Sequence, residues 1–463
     1  MAFYSAQALR KCLLYSLLFL LWQLVSAQNR INNLPGFEGP LPFTLETGYL
    51  EVDEEKGVEL FYYFIESERN PEEDPLILWL TGGPGCTGFS ALVFEIGPLS
   101  FDLQKYEGGL PPLYYRPNSW TQVSNVIFID SPVGTGFSYS HTLEGYQTSD
   151  TETVRQLLKF LQKWLDEHPK FKTNSLYISG DSYCGKIIPV LVQEIAIESN
   201  GAQFNLKGYL SGNPITDQNF ELNSIVPFLH GMALISDELF ESTKKSCSGE
   251  YANPTNSHCA KYLDVVDEVT KDINWENILE PYCRTDRSRP GEIHSSTIGK
   301  GLYYEEVPLL ISGLPSDCRA SAYVLPAMWA NNDTVQDALG IRKGTVDVWK
   351  RCWRYLPYTH DIQSTVPYHF NVTNKGFAAL IYSGDHDRTV TFLSTQAWIR
   401  SLNFSIVDDW RPWYVGGQVA GYTRRYSNNL TFATVKGAGH TAPEYKPKEC
   451  LAMITRWLSG APL

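Results

Sequence analysis

The sequence predicts an α/β fold, with a mixed but mostly parallel sheet at the centre and helices on both faces. Short runs of β-branched and aromatic residues recur directly before turn residues. Residues 151–167 between two of these runs carry apolar side chains at helical spacing. Alternating strands and helices of this kind are typical of a sheet layered by helices, with functional residues on the loops after the strands. The predicted strands are 76–81, 126–130, 176–179, 378–383 and 431–435.

Residues 1–27 are predicted to be a signal peptide. Arg10 and Lys11 precede an apolar stretch at 13–25, and Ser26-Ala27 follow it as small residues. The apolar stretch is shorter than the roughly 18 residues that a spanning helix needs. We therefore expect a secreted or lumenal chain with no membrane contact after the leader is removed.

The rest of the chain is predicted to consist of one core interrupted by an inserted segment. Strand patterns run through residues 28–216 and return in residues 334–463, which we interpret as two parts of the same α/β core. Between them, residues 217–333 lose the strand pattern and contain four clustered cysteines, which favours an inserted helical cap. Within this cap, the arginine-rich stretch 284–300 is either an ordinary solvated loop or a site of proteolytic nicking.

Composition excludes some partners and indicates the compartment. The 463 residues are 43% hydrophobic and carry a net charge of −13, so a large core is expected and a nucleic-acid partner is not. Eight cysteines follow the leader without any CxxC pair, which favours disulfides in an oxidising compartment and predicts no metal site. Glycosylation sequons lie at Asn332, Asn371, Asn403 and Asn429.

Three residues after three different strands form a candidate catalytic triad. Ser182 follows strand 176–179 on a tight turn of small residues, and Asp387 and His440 follow the strands at 378–383 and 431–435. The order serine, acid, histidine is that of the α/β-hydrolases. His440 is predicted to take the proton of Ser182, and Asp387 to hold the imidazole. Asp385 lies on the same turn and competes with Asp387 for the acid role, so the residues alone leave this choice open.

Glycines after the first predicted strand indicate an oxyanion hole. Gly82 and Gly83 lack Cβ atoms, so their backbone amides can approach a developing oxyanion closely. The expected donors are the N–H of Gly83 and the N–H of Tyr183, the residue after the nucleophile. No cofactor is expected for chemistry of this kind.

Five motifs stand out: Leu80-Thr-Gly-Gly-Pro-Gly-Cys86, Gly180-Asp-Ser-Tyr-Cys-Gly185, Tyr382-Ser-Gly-Asp-His-Asp387, Gly437-Ala-Gly-His440 and Gln396-Ala-Trp-Ile-Arg-Ser-Leu402. The first four resemble the serine carboxypeptidase family over nearly the whole mature chain. The first two and the last resemble more narrowly the plant serine carboxypeptidase-like acyltransferases, which move hydroxycinnamoyl, galloyl or similar acyl groups from 1-O-β-glucose esters to alcohols. The resemblance favours Asp387 over Asp385 as the acid, with Asp385 capping or bracing the loop.

The resemblance also implies where substrate selection differs from that of a peptidase. Peptidases of the family hold the substrate's terminal carboxylate with an Asn where this chain has Thr81, beside Gly82, and with two Glu where it has Glu95 and Asp181. Thr offers one hydroxyl in place of a two-donor amide, and Asp is one methylene shorter than Glu. A carboxylate that has fewer hydrogen-bond donors is bound more weakly, and the loss of binding free energy is on the order of a few kcal/mol. We therefore expect peptidase activity to be depressed.

The resemblance implies a particular set of disulfides. The pairs it implies are Cys86–Cys352, Cys247–Cys259 and Cys283–Cys318. Cys184 and Cys450 would then stay reduced, and a bridge between these two is the less favoured alternative. Cys184 departs from the usual Ala or Ser of its motif and is interpreted as a small apolar filler.

Three functions of different classes are open at this point. The favoured one is a glucose ester-dependent acyltransferase in the secretory pathway, in the vacuole rather than outside the cell, with an acyl glucose and an alcohol as its partners. The second is a serine carboxypeptidase that works at acidic pH. The third, a catalytically silent binding protein, is disfavoured because Ser182, Asp387 and His440 are all present.

Overall fold

The computed structural model describes residues 29–198, 204–283 and 318–463. The predicted leader and the 284–300 stretch lie outside these ranges. The strands are β1 (Asn29–Ile31), β2 (Leu45–Asp53), β3 (Val58–Ile65), β4 (Leu76–Leu80), β5 (Leu99–Phe101), β6 (Leu113–Tyr115), β7 (Asn125–Ile129), β8 (Tyr139–Ser140), β9 (Thr148–Ser149), β10 (Leu176–Asp181), β11 (Leu206–Gly212), β12 (Tyr358–Thr359), β13 (Ala378–Gly384), β14 (Ile406–Val415), β15 (Gln418–Tyr426) and β16 (Leu430–Val435).

Twelve of these strands form one mixed sheet. Its order is β1-β2-β3-β7-β4-β10-β11-β13-β16-β15-β14, with β8 paired to β3. The six strands from β7 to β16 in this order are parallel to one another, and the outer strands are antiparallel. The parallel strands β10, β13 and β16 therefore end at the same edge, which is where Ser182, Asp387 and His440 follow them. The fold is that of an α/β hydrolase, as predicted.

Helices cover both faces of the sheet. The longest, α1, begins after Ser149, whose side chain caps the helix by accepting a hydrogen bond from the backbone N–H of Glu152. The helices are α1 (Asp150–Glu167), α2 (Ile188–Glu198), α3 (Gln218–Gly231), α4 (Asp237–Cys247), α5 (Ser257–Thr270), α6 (Val324–Ala330), α7 (Asp333–Leu339), α8 (Val366–Asn374), α9 (Phe392–Ser401), α10 (Ala442–Tyr445) and α11 (Pro447–Leu458). Shorter turns are Gly88–Ser90, Ala91–Glu95, Leu103–Lys105, Trp120–Gln122, Glu144–Tyr146, Pro169–Phe171, Ser182–Lys186 and Arg319–Tyr323.

Alternating side chains of the buried strands supply two separate cores. In β7, Val126 and Phe128 pack into one cluster, while Ile127 and Ile129 pack into the other. The first cluster lies against α6 and α11, and the second lies against α1, α2, α8 and α9. Because successive residues of a strand point to opposite faces, strands buried on both sides are continuously apolar. This explains why the sequence shows apolar runs here and no alternation with polar residues.

The region predicted to be an inserted cap begins with three helices. Helices α3, α4 and α5 enclose a third apolar cluster that includes Phe228, Leu229 and Val266. This cluster is distinct from the two cores on the sheet. The stretch 284–317 of the predicted cap lies outside the described residues, and the domain boundaries stay a prediction.

The three expected disulfides are present. They are Cys86–Cys352, Cys247–Cys259 and Cys283–Cys318, and Cys184 and Cys450 are free and buried. Among the sequon residues, Asn371, Asn403 and Asn429 are exposed and Asn332 is half-buried, while their glycosylation remains a prediction. In the ranges that the structure covers, no helix combines the length and apolar character needed to cross a bilayer.

A glycine at the end of β13 lets the strands that carry the triad approach closely. A Cβ on Gly384 would lie 2.1 Å from the carbonyl oxygen of Gly439 and 2.7 Å from the carbonyl carbon of Ala438. Both are backbone atoms, so a side chain here can be accommodated only if β13 and the turn after β16 move apart.

We expect Gly384→Ala to destabilise the protein by about 1–3 kcal/mol, as overpacking usually does, and to lower its melting temperature by several degrees. The matched control is Gly231→Ala at the end of α3, where no atom lies within 4 Å of the added methyl group. That variant should melt at or slightly above the wild-type temperature. Equal melting temperatures for the two variants in differential scanning calorimetry would contradict this account.

Candidate active site

Ser182 lies at the first turn after β10, in a strained conformation. Its φ is +56°, in the left-handed region that non-glycine residues seldom adopt. The turn packs tightly against the loop that contains Gly82, because a Cβ added to Gly82 would lie only 2.6 Å from the Cβ of Ser182. Strain at such a position is maintained only when the surrounding structure fixes it, which is common at functional sites.

The structure brings the three predicted triad residues into one hydrogen-bonded chain. His440 Nε2 lies 2.7 Å from Ser182 Oγ, and His440 Nδ1 lies 2.7 Å from Asp387 Oδ2. Ser182 and His440 are 258 positions apart in the chain, and the three residues meet because their strands end at one edge of the sheet. One imidazole therefore faces a hydroxyl on one side and a carboxylate on the other.

Asp387 is surrounded by hydrogen-bond donors on several sides. The backbone N–H groups of Thr389 and Val390 donate to it over 2.7 and 3.1 Å, and the side-chain amide of Asn213 donates over 2.8 Å. Its side chain is completely buried. Asp385 instead accepts from the backbone N–H of Gly437 at 2.7 Å, which ties it to the loop that carries His440.

The electrostatic surroundings favour a protonated His440. Burial acts to lower the pKa of this imidazole, but the charge and the hydrogen bond of Asp387 outweigh burial, and Glu276 and Asp181 add to their effect. The pKa of His440 is raised from its usual value of 6.5 to about 9. The buried carboxylate thus makes the imidazole a stronger base than a free histidine.

The residues predicted for the oxyanion hole lie around the nucleophile. The N–H of Gly82 is directed to the carboxylate of Asp181, which leaves the neighbouring N–H of Gly83 as the amide for an oxyanion. Gly83 itself has a φ of +125°, which only glycine adopts readily. Tyr183 is the second residue of the helical turn Ser182–Lys186, so its backbone N–H has no partner within that turn.

Two buried carboxyl groups adjoin the nucleophile. Glu95 and Asp181 are hydrogen-bonded to one another, and both are nearly inaccessible to solvent. Burial, and then repulsion by Asp181 and Glu444, raise the pKa of Glu95 well above its usual value. Burial also raises the pKa of Asp181, to about 6, against the opposing effect of His440. The pair therefore binds protons at mildly acidic pH. The hydroxyl of Thr81, also buried, has no hydrogen-bond partner among the described residues.

Some residues around the site were not identified from the sequence. Asn213 follows β11 with a φ of +39° and ties the end of β11 to the end of β13, because it donates to Asp387 and accepts from the N–H of Gly384 at 3.0 Å. The segment after α5 also supports the site: the carbonyl of Glu276 accepts the backbone N–H of His440 at 2.7 Å. The strand before Asn213 and the Asn-Pro step at 213–214 were the available signals for Asn213.

The described residues contain no group of three or more His, Cys, Asp or Glu side chains arranged to hold a metal ion.

Comparison with known proteins identifies the family. The sequence profile of serine carboxypeptidases matches residues 35–460. Serine carboxypeptidase-like 2 of Arabidopsis thaliana is 50% identical over 97% of this chain and 97% of its own length, and serine carboxypeptidase-like 19 of the same plant is 49% identical over 96% and 97%.

Among solved structures, the prohormone-processing carboxypeptidase Kex1(delta)p of Saccharomyces cerevisiae is similar with a TM-score of 0.70. It covers 93% of this chain and 94% of its own, at 21% sequence identity, which supports the fold. With a family profile that spans almost the whole chain and relatives at half identity over their full length, this protein belongs to the serine carboxypeptidase family.

Proposed function

We propose that the protein is an acyltransferase that moves an acyl group from a 1-O-β-glucose ester to an alcohol through an acyl-enzyme on Ser182. The observation that carries this proposal is the hydrogen-bonded chain from Ser182 through His440 to Asp387, with both spacings at 2.7 Å. A serine hydroxyl is a weak nucleophile without an adjacent base, and this chain supplies the base and its orienting acid. The acyl group envisaged is hydroxycinnamoyl, galloyl or similar.

In the first half of the reaction, Ser182 takes the acyl group. Its Oγ attacks the ester carbonyl carbon while its proton passes to His440 Nε2, and the N–H groups of Gly83 and Tyr183 stabilise the oxyanion. The tetrahedral intermediate collapses when the bond to the C1 oxygen of glucose breaks. His440 returns the proton to that oxygen, and glucose leaves.

In the second half, the alcohol acceptor takes the place of water. Its hydroxyl proton passes to His440 as its oxygen attacks the acyl carbon, and the bond to Ser182 Oγ then breaks. Ser182 recovers its proton from His440, so the enzyme returns to its starting state. Transfer is faster than hydrolysis only when the bound alcohol reaches a high effective concentration beside the acyl group.

Support for transfer over peptide hydrolysis comes from two substitutions at the predicted substrate-binding positions. Thr81 and Asp181 stand where family peptidases carry Asn and Glu to hold a terminal carboxylate. Thr81 offers a single donor, and Asp181 already accepts the N–H of Gly82 and shares a hydrogen bond with Glu95. A peptide carboxylate would thus meet fewer donors than in a family peptidase.

The second candidate is a carboxypeptidase active at acidic pH. The observation in its favour is the Glu95–Asp181 pair, because carboxyl groups with raised pKa values keep a proton in acid and could donate it to a substrate carboxylate. Either activity fits a compartment of the secretory pathway, since three disulfides are present. For the transferase we favour the vacuole over the extracellular space.

Replacing the nucleophile tests the covalent mechanism. Ser182→Ala should lower transfer from a phenolic glucose ester at least ~10³-fold, because no oxygen remains to carry the acyl group. The melting temperature should stay close to that of the wild type. Transfer is measured by chromatography of the ester product, with Ser401→Ala on exposed α9 surface as the control. Full transfer by Ser182→Ala would show that the acyl group never passes through Ser182.

Restoring the family's carboxylate donors separates the two candidate functions. Thr81→Asn combined with Asp181→Glu should raise cleavage of a blocked dipeptide at about pH 5 by roughly 10- to 100-fold, equivalent to about one hydrogen bond to a charged group. Thr81→Val, which adds no donor, is the control and should cleave no faster than wild type. Efficient peptide cleavage by the wild-type protein without ester transfer would favour the peptidase.

The raised pKa of His440 sets the direction of the pH dependence. His440 accepts the proton of Ser182 only in its neutral form, and its pKa is about 9. Below that value, kcat/KM for a glucose ester should rise about tenfold per pH unit as the neutral fraction grows, and it should level off near pH 9. Asp387→Asn should move the midpoint to lower pH because it removes the charge that raises the pKa. A profile that is already flat from pH 5 upward would contradict a raised pKa.

A further inference from the structure

We infer that residues 351–362, here called the strap, position both donors of the oxyanion hole, and that the Tyr183 hydroxyl is the positioning group at one end. The strap lies between the disulfide at Cys352 and the N–H of Ile362, and it contains β12. The inference rests on the serine nucleophile of the proposed function, and it holds whichever acyl donor or acceptor the enzyme uses.

At one end, the strap and Tyr183 are held by the same carboxylate. Asp150 is completely buried at the start of α1, and its Oδ1 accepts from the hydroxyl of Tyr183 at 2.7 Å and from that of Tyr358 at 2.8 Å. Its Oδ2 accepts from the backbone N–H of Ile362 at 2.9 Å. One carboxylate therefore joins the residue after the nucleophile to two points of the strap.

Further contacts at this end hold the Tyr183 ring in place. Its hydroxyl is hydrogen-bonded to His360 Nδ1, and its ring makes an edge contact with the ring of Tyr358 at 6.0 Å between centroids. Burial, and then Asp150, raise the pKa of Tyr183, so the phenol stays protonated and keeps donating to the carboxylate. The side chain thus has a fixed anchor at the end remote from its backbone N–H.

At the other end, the strap holds the loop that carries Gly83. The disulfide Cys86–Cys352 joins the two segments, and the N–H of Trp353 donates to the carbonyl of Gly85 at 2.8 Å. The fit is close, since a Cβ on Gly85 would lie 2.5 Å from Leu356 Cδ1 and 2.7 Å from the Trp353 carbonyl. Each end of the strap therefore fixes the segment that supplies one of the two N–H donors.

The geometry of the nucleophile turn explains why such an anchor is needed. Ser182 has a φ of +56°, a conformation that is less stable than an ordinary helical turn and persists only when its neighbours prevent relaxation. The peptide plane between Ser182 and Tyr183 carries the N–H of Tyr183, so any relaxation of the turn redirects that donor. Small misplacements of such donors are costly, since loss of a whole oxyanion donor slows reactions about 10²–10³-fold.

The test removes only the hydroxyl of Tyr183 and measures the reactivity of Ser182 directly. Tyr183→Phe is compared with wild type in its reaction with a fluorophosphonate, in which Ser182 Oγ bonds to phosphorus, fluoride leaves and the proton passes to His440. We expect the maximal labelling rate to fall about tenfold while the half-saturating probe concentration stays within about twofold. Tyr358→Phe should lower the rate less, and the double variant should be no slower than Tyr183→Phe, because both hydroxyls act through Asp150.

The matched control is Tyr209→Phe on β11. Tyr209 is also a buried tyrosine whose hydroxyl is hydrogen-bonded to a histidine, His369, at 2.7 Å, but it lies in the core away from Ser182. Tyr209→Phe should lose about as much stability as Tyr183→Phe, but its Ser182 should be labelled at the wild-type rate. Wild-type labelling by Tyr183→Phe, or equal slowing by Tyr209→Phe, would overturn the inference. Labelling of wild-type Ser182 without any ester transfer would instead refute the proposed function alone.

Discussion

The site depends on a single imidazole that is held between two partners. His440 is 2.7 Å from both Ser182 Oγ and Asp387 Oδ2, and neither contact forms unless three strands end at the same edge of the sheet. The parallel pairing of β10, β11, β13 and β16 produces that edge. The buried side chains on both faces of these strands fix their spacing, so the catalytic geometry follows from the packing of the two cores.

Several buried carboxyl groups lie near this imidazole, and their hydrogen-bonding environments differ. Asp387 accepts hydrogen bonds from three donors besides His440. Glu95 and Asp181 instead face one another, and burial raises the pKa of both carboxyl groups. Groups of the same chemistry can thus serve as an orienting acid in one place and as a proton-holding pair in another.

The sequence predicted the triad and the fold because each functional residue followed a recognisable strand. Runs such as 176–179 and 378–383 are apolar and end in small turn residues, so the positions of Ser182 and Asp387 could be inferred without coordinates. The role of Asn213 could not be inferred in this way. It depends on β11 lying between β10 and β13, and local sequence patterns do not show which strands are neighbours in a sheet.

Other parts of the structure were missed for similar reasons. The edge hairpin β14–β15 has irregular register and exposed side chains on β14, so it lacks a clear alternating pattern. The contact between Glu276 and His440 joins the segment after α5 to the imidazole across more than 160 residues, and only the folded chain shows it.

The most direct measurement of the central claim is the mass of the Ser182 peptide during turnover. The protein is mixed with a phenolic 1-O-β-glucose ester, quenched in acid within the first turnover, digested and analysed by mass spectrometry. The account predicts that the acyl mass appears on Ser182 and that addition of an alcohol acceptor removes it with formation of the new ester. An unmodified Ser182 peptide during active transfer, or release of the acyl group only as free acid, would contradict it.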